Sequence, residues 1–332
     1  MSEVTALRSP RPRRVMLLGA TGTIGQATAR ALVAQGHEVV CFVRRRPDDA
    51  LSRRLPGVTL RCGEVTDPGS VARDGFQGEG FDAVVSCMAS RTGVPRDAWA
   101  IDHRAHVEVL AAAKAAGVSQ FVLLSAICVQ KPRLAFQQAK LAFERELAGS
   151  GLAYSIVRPT AFFKSLSGQV ERVRRGKPFL VFGDGTLTAC KPISDDDLAV
   201  FLAGCLDDPE RRDRILPVGG PGPAQTPRQQ GEQLFALLGM TPKFKSVPVG
   251  MLDAIVAVLG GLGRLVPALA TKAELARIGR YYATESMLVW DAARGRYDAD
   301  ATPSFGTETL ADYQARLLRG EVRLERGEQA VF

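Results

Sequence analysis

A glycine-rich segment near the start of the sequence has the residue types and the spacing that bind a dinucleotide. It follows an apolar run at residues 15–18 and contains Gly19, Ala20, Thr21, Gly22, Thr23, Ile24 and Gly25. Gly19 permits a tight turn, Gly22 lets the backbone approach a pyrophosphate, and Gly25 allows a helix to pack closely on the sheet. The amides at the helix N-terminus then bind the anion. Because the spacing Gly-x-x-Gly-x-x-Gly stands between a predicted strand and a predicted helix, it indicates a cofactor site.

Three consecutive arginines, at positions 44–46, stand where the second predicted strand ends. At this position an NAD enzyme carries an acidic residue that binds the ribose 2′-hydroxyl. Arg44 and Arg45 suit a 2′-phosphate instead, because a guanidinium makes charge-assisted and often bidentate hydrogen bonds to it. The sequence therefore favours NADPH over NADH as the cofactor. The alternative is that the three arginines form a solvated basic turn that binds no ligand.

Two polar residues follow predicted strands at the edge where open α/β sheets bind ligands. Asp67 comes after the third strand, and we expect it to accept a hydrogen bond from the adenine amino group, to cap the helix that follows, or both. Ser125 ends the fifth strand and is a candidate catalytic residue.

Lys140 lies one helical turn after Phe136, which is the spacing of the Tyr-x-x-x-Lys pair of short-chain dehydrogenases. In that pair the lysine depresses the pKa of the tyrosine and binds the nicotinamide ribose. Phe136 has no proton to give. The sequence therefore predicts that Lys140 holds the ribose, and it disfavours the carbonyl-to-alcohol chemistry of that class.

Short apolar runs alternate with helical stretches over the first half of the chain. The runs that we predict as strands lie at residues 15–18, 38–43, 58–62, 83–86, 121–124 and 154–157. Continuous apolar strands separated by helices indicate a parallel sheet that is buried on both faces. The predicted fold is therefore α/β, with a doubly wound parallel sheet of the Rossmann type and a smaller, irregular C-terminal substrate lobe.

The length of 332 residues allows about two lobes. We divide the chain into a flexible basic tail at residues 1–14, an NADP-binding Rossmann domain at 15–160, and a substrate lobe with returning elements at 161–332. A secretory signal is not predicted, because the basic N-terminus lacks an apolar core.

The predicted lobe contains a helix at residues 162–175 and two short strands at 179–182 and 186–190. The apolar stretch at 247–270 is too interrupted by charge to span a bilayer. We predict a buried helix there, with a wall of the substrate cleft or a contact with a membrane surface as alternatives.

The composition, with 46% hydrophobic and 23% charged residues, is that of a globular protein. The net charge of +8 favours anionic partners without selecting one class of them. Six cysteines without a Cys-x-x-Cys pair and three scattered histidines predict neither a metal site nor an iron–sulfur cluster. This cysteine usage fits a reducing cytoplasm best.

Several segments resemble the family of NADPH-dependent divinyl chlorophyllide 8-vinyl reductases, which are atypical short-chain dehydrogenases. They lie at residues 121–132, 136–144, 154–166, 182–185 and 189–194. The resemblance covers residues 15–205 well and is looser beyond position 217. It implies reduction of the 8-vinyl group of divinyl chlorophyllide or protochlorophyllide to ethyl with NADPH, in chlorophyll or bacteriochlorophyll synthesis. It also explains Phe136, because no carbonyl oxygen has to be protonated.

The substrate that the resemblance implies is a Mg-tetrapyrrole pigment, and no nucleic acid. A flat, apolar ligand with carboxylates needs a hydrophobic cleft with basic anchors. We expect Phe162, Phe163 and Lys191 to bind the pigment. Lys164 is the candidate proton donor, with a carboxylate anchor as its alternative role.

Two other functions stay open at this point. One is a non-catalytic NADP(H)-binding redox sensor or assembly factor on the same fold, since a fold does not fix a function. The other is a sugar-nucleotide epimerase, which would need the tyrosine that Phe136 replaces. The sequence predicts no oligomeric state.

Overall fold

The structure, a computed structural model, describes residues 11–44, 48–67, 69–263 and 266–322. Its centre is a seven-stranded sheet whose strand pairs are all parallel. Most strands in the middle of the sheet are fully buried, because helices cover both faces and the strand residues are predominantly apolar. The predicted α/β fold class with a doubly wound parallel sheet is confirmed.

The first half of the chain alternates strands and helices in the predicted way. Its elements are β1 (Arg14–Leu18), α1 (Thr23–Ala34), β2 (Glu38–Val43), α2 (Asp49–Arg54), β3 (Thr59–Cys62), β4 (Ala83–Ser86), α3 (Pro95–Ala98), α4 (His106–Ala115), β5 (Gln120–Leu124), α5 (Ala135–Ala148) and β6 (Ala153–Pro159). Two π-helical turns, Val71–Phe76 and Trp99–Ala105, and a 3₁₀ turn, Ile127–Gln130, connect them.

The second half is less regular, and its elements range in length from 3 to 18 residues. They are α6 (Phe163–Leu166), α7 (Val170–Arg174), β7 (Phe179–Phe182), α8 (Asp195–Gly204), β8 (Arg214–Val218), α9 (Pro227–Leu237), β9 (Phe244–Val247), α10 (Val249–Leu262), α11 (Pro267–Thr284), β10 (Val289–Asp291), β11 (Arg296–Asp298) and α12 (Leu310–Leu318). The strand β8 returns to the main sheet beside β6.

The strand order of the main sheet is β3-β2-β1-β4-β5-β6-β8. The chain proceeds outward from β1 in one direction and then restarts at β4 in the other. Between β1 and β4 the crossovers therefore diverge, and a crevice opens at the carboxyl ends of the strands, where such sheets bind their ligands.

Two local predictions for the second half are wrong, and one strand was missed. The single helix at 162–175 is two short helices. The first ends at Leu166, and the hydroxyl of its C-cap, Ser167, donates to the Phe163 carbonyl. Residues 186–190 are no strand, since Asp184 accepts hydrogen bonds from the amide and hydroxyl of Thr186 and holds a turn there. The sequence also missed the strand β8, whose Pro217 is tolerated at the edge of the sheet.

The apolar stretch at 247–270 differs from the predicted buried helix. It forms α10 and the start of α11, and Leu252 is the sole buried residue of α10. Among the described residues, no helix combines the length and the apolar character that crossing a bilayer requires.

Candidate active site

The glycine-rich loop joins β1 to α1 and leaves no room for side chains at two of its glycines. Gly19 has a φ of +78°, and a Cβ there would lie 2.6 Å from the carbonyl carbon of Cys87 at the end of β4. A Cβ on Gly25 would lie 2.1 Å from the Gly19 carbonyl oxygen. The turn and the helix are therefore packed backbone against backbone, as the sequence predicts for a dinucleotide cradle.

The N-terminus of α1 is open toward solvent. Gly22 is its N-cap, and no side chain caps the first turn. A Cβ on Gly22 would contact only the Gly19 oxygen, at 3.5 Å. Thr21 is exposed, whereas Thr23 and Ile24 are half-buried. Uncapped amides at a helix N-terminus attract an anion, so this loop fits a pyrophosphate.

The structure describes only some of the residues that are predicted to bind the adenosine half of the cofactor. Arg44 is exposed in the bend after β2, while Arg45 lies outside the described residues. The Asp67 carboxylate lies 3.3 Å from the Arg73 guanidinium, and both side chains are exposed. Asp67 does not cap the helical turn that follows, because Ser70 occupies the N-cap position.

Lys140 forms a buried ion pair that the sequence did not reveal. Its Nζ lies 3.0 Å from Oδ1 of Asp102, and the Asp102 side chain is fully buried. The backbone N–H of Ser90, just beyond β4, donates to the same oxygen at 3.2 Å. The second oxygen, Oδ2, has no hydrogen-bond partner within the described part of the chain. The pair thus fixes the lysine between α5 and the π-helical turn Trp99–Ala105.

His106 is buried beside this pair and is neutral. Its Nδ1 donates to the Ile101 carbonyl at 2.8 Å, so its Nε2 accepts from the Ser86 hydroxyl, also at 2.8 Å. Burial, with the nearby positive charge of Lys140, lowers the pKa of His106 to about 4. The ring therefore carries no charge near neutral pH.

The Ser125 hydroxyl is engaged by a second buried ion pair. It donates to Oε1 of Glu144 at 2.5 Å, and the same carboxylate accepts two hydrogen bonds from Arg158. This cluster ties β5 and β6 to α5 from inside the core. A part for Ser125 in catalysis stays a prediction.

Comparison with known proteins places this site in a family. A family model described as NAD(P)H-binding matches residues 19–209. The chain is 47% identical to "Divinyl chlorophyllide a 8-vinyl-reductase, chloroplastic" of Zea mays, over 96% of this chain and 82% of that protein. It is 45% identical to the protein of the same name from Arabidopsis thaliana, over 97% and 81%. The chain belongs to the divinyl chlorophyllide a 8-vinyl-reductase family.

A solved structure shares the fold of this 8-vinyl-reductase family member. It is the NADPH-dependent quinone oxidoreductase of Escherichia coli complexed with NADPH, with a TM-score of 0.63 and 19% identity over 92% of this chain and 99% of that one. An identity this low supports the Rossmann-type architecture alone. The resemblance inferred from the sequence motifs is confirmed by the curated relatives.

Lys164 lies at the glycine-rich loop. It lines a groove of about 350 Å³ together with Thr23, Gln26 and Asp195. Burial raises the pKa of Asp195, while a hydrogen bond with Thr23 and the charge of Lys164 act in the opposite direction. That Lys164 protonates the substrate stays a prediction.

The three residues predicted to bind the pigment have structural partners. Phe163 is only 2% exposed, and its ring centroid lies 5.5 Å from that of Tyr313 on α12. Phe162 is half-buried and is the N-cap of α6. Lys191 donates from Nζ to the Thr302 carbonyl at 2.8 Å. These contacts hold the lobe together, and contact of the three residues with a pigment stays a prediction.

Proposed function

We propose that this protein reduces the 8-vinyl group of divinyl chlorophyllide, or of its protochlorophyllide relative, to ethyl. It is an NADPH-dependent oxidoreductase that acts on a C=C bond. The observation that carries this function is the near full-length identity to enzymes of that name, on a chain whose glycine-rich loop has the shape of a dinucleotide cradle. Chlorophyll or bacteriochlorophyll synthesis is the corresponding metabolic role.

Each part of the cofactor has a proposed partner in the site. Bound NADPH supplies a hydride from its nicotinamide ring. Gly19, Gly22 and Gly25 form the pyrophosphate cradle, with Thr21, Thr23 and Ile24 along it.

The two ends of the cofactor have other partners. Arg44, with Arg45, binds the 2′-phosphate, and Asp67 binds the adenine amino group. Lys140 binds the nicotinamide ribose, and Asp102 orients its ammonium.

Phe136 fits a reaction on a vinyl group. Its ring is 9% exposed and packs in an apolar cluster with Cys128 and Ile278. Reduction of a carbonyl needs a donor for the developing alkoxide, whereas reduction of a vinyl group forms no charged oxygen. An apolar residue at this position therefore removes no necessary group.

The pigment carboxylates need basic anchors beside an apolar wall. We propose Lys164 and Lys191 as these anchors and Phe162 and Phe163 as parts of the wall. The net charge of +8 favours binding of an anionic pigment.

A contact with a membrane surface is a further part of this proposal. Met251, Ile255, Val258 and Leu262 follow a helical spacing on α10, and each is between 37% and 60% exposed. An exposed apolar helix face on a basic protein suits the interface of an anionic bilayer. Val258→Asp should then reduce cosedimentation with anionic phospholipid vesicles, whereas Leu187→Asp, at an exposed apolar residue in the turn after β7, should not.

Because its cysteine thiols are free, we propose that the protein works in a reducing compartment such as the cytoplasm. All six cysteines are free, and burial raises the pKa of Cys41, Cys87 and Cys190 to about 12. Such thiols are unreactive and need no oxidising environment.

The decisive experiment incubates the purified protein with NADPH and divinyl chlorophyllide a. We expect NADPH consumption, an absorption shift of the pigment, and an ethyl group in the product. With NADPH deuterated at C4, we expect the label in the methyl group of the new ethyl. A protein that binds NADPH tightly and leaves the pigment unchanged would instead support the non-catalytic redox sensor or assembly factor.

A further inference from the structure

A helix from the C-terminal half packs on the position where short-chain dehydrogenases carry their tyrosine. Ile278 and Tyr281 of α11 belong to the same buried cluster as Phe136 and Cys128. A Cβ on Gly93 would meet Ile278 at 3.1 Å and Phe136 at 3.4 Å, so these two side chains are neighbours. The helix α11 therefore brings its own side chains to the site of the missing phenol.

One of these side chains is Tyr282, whose hydroxyl lies 3.8 Å from Sγ of Cys128. The thiol of Cys128 is close enough to Lys140 for that ammonium to act on its pKa. Cys128 therefore lies near both the Tyr282 hydroxyl and Lys140. Both groups lie beyond the carboxyl end of β5, at the ligand-binding edge of the sheet.

The two adjacent tyrosines of α11 differ in what their hydroxyls do. Tyr281 donates to the Cys128 and Lys131 carbonyls, at 2.9 and 3.2 Å, and is buried. Tyr282 is 43% exposed, and its hydroxyl lies against a sulfur, which is a weak hydrogen-bonding partner. Burial raises the pKa of Tyr282 well above its usual range, so the phenol holds its proton until a strongly basic centre develops on the substrate. Its O–H is available in a way that the O–H of Tyr281 is not.

We propose that Tyr282 is the proton donor of the vinyl reduction, an inference that rests on the proposed function. A hydride added to the terminal vinyl carbon displaces the π electrons of the C=C bond onto the inner carbon and the macrocycle. The Tyr282 O–H bond breaks, a C–H bond forms at the inner carbon, and solvent reprotonates the phenolate. Tyr282 then takes the place of the tyrosine that Phe136 replaces, from a different element of the fold.

The test compares Tyr282→Phe with Tyr281→Phe in the full chain, using NADPH and divinyl chlorophyllide a. Tyr282→Phe should lower turnover by at least about a hundredfold, which is the usual contribution of a positioned acid. Its thermal midpoint, its NADPH affinity, and its pigment affinity by absorption titration without cofactor should stay within about twofold or 2 °C of the wild type. Tyr281→Phe should show the opposite pattern, with a lower thermal midpoint and normal turnover of the folded protein.

Two results would count against the inference in different ways. If the wild type reduces the pigment and Tyr282→Phe does so equally fast, Tyr282 is not the donor and the proposed function stands. Beside such a result, a loss of turnover in Lys164→Gln with unchanged pigment affinity would assign the proton to Lys164, whereas a loss of affinity would leave Lys164 as a carboxylate anchor. If the wild type binds NADPH and pigment without converting them, the proposed function fails, and the role of Tyr282 fails with it.

Discussion

The Lys140 ammonium lies 3.0 Å from the fully buried carboxylate of Asp102, which it neutralises across the gap between α5 and the preceding π-helical turn. A buried carboxylate whose partner is removed keeps its desolvation cost and loses the compensating attraction. The same lysine is the proposed ligand of the nicotinamide ribose. Its removal should therefore affect both folding and cofactor binding, and the two effects can be separated.

Lys140→Met should destabilise the protein by about 3–5 kcal/mol, because Asp102 is left unpaired in the core. It should also weaken NADPH binding and lower turnover. In Lys140→Met/Asp102→Asn, most of the lost stability should return while turnover stays low. Denaturant unfolding and NADPH titration measure the two effects. Equal unfolding midpoints for the wild type and Lys140→Met would show that the ion pair contributes little to stability.

Arg44 should decide the choice between the two nicotinamide cofactors. Arg44→Ala should weaken NADPH binding by about 1.5–3 kcal/mol, or roughly ten- to a hundredfold, because a charge-assisted contact with the 2′-phosphate is lost. NADH binding should be unaffected. Arg53→Ala, at an exposed arginine of α2, removes the same charge and controls for a general field effect. An equal loss for NADPH and NADH in Arg44→Ala would refute the assignment.

Gly25 and Gly22 should respond differently to the same added methyl group. Gly25→Ala places a Cβ 2.1 Å from a backbone oxygen that cannot move cheaply, so we expect a loss of about 1–3 kcal/mol of stability and of NADPH binding. Gly22→Ala has 3.5 Å to the same oxygen and should fold normally. It should bind NADPH weakly, because the methyl obstructs the pyrophosphate. Thermal unfolding with and without NADPH measures both, and a stable Gly25→Ala that binds NADPH would contradict the packing role.

The sheet and its glycine loop were predictable because their signals are local. Most of the first six strands are short apolar runs between helical stretches, and the loop glycines are fixed by the geometry of one turn. The strand β8 was not predictable in this way. Its Pro217 indicates a loop, and only the edge position in the assembled sheet makes a proline acceptable there.

The less predictable parts of the site depend on contacts between distant segments. Nothing in the sequence around Asp102 indicates that it pairs with Lys140, since the two meet only after α5 packs on the π-helical turn. Likewise, the sequence predicts that the apolar residues of α10 are buried, because composition alone does not indicate whether another element covers a helix. Tyr282 was missed for the same reason, as it reaches Cys128 from the far end of the chain.

Stability should fall in mild acid through His106. Its pKa is about 4 in the folded protein and near 6.5 when unfolded, so the unfolded chain binds more protons between these values. The contribution is complete above pH 6.5 and is lost as the pH falls toward 4, by roughly 3 kcal/mol. Burial lowers the pKa of His37 too, which adds to the same trend.

Denaturant unfolding at several pH values measures this slope. His106→Gln should flatten it. A slope that survives in His106→Gln would show that other groups cause the acid sensitivity.

Phe136→Tyr restores the Tyr-x-x-x-Lys spacing and should give no gain in turnover. Phe136 packs among Cys128, Ile278 and other apolar side chains, so a new hydroxyl there loses its hydration and should cost about 1–3 kcal/mol of stability. The vinyl substrate forms no alkoxide for that hydroxyl to stabilise. Turnover of divinyl chlorophyllide a and the unfolding midpoint are the measurements. If Phe136→Tyr instead accelerated pigment reduction tenfold or more, a donor at this position would be limiting in the natural protein, and the explanation of the phenylalanine by the reaction type would be wrong.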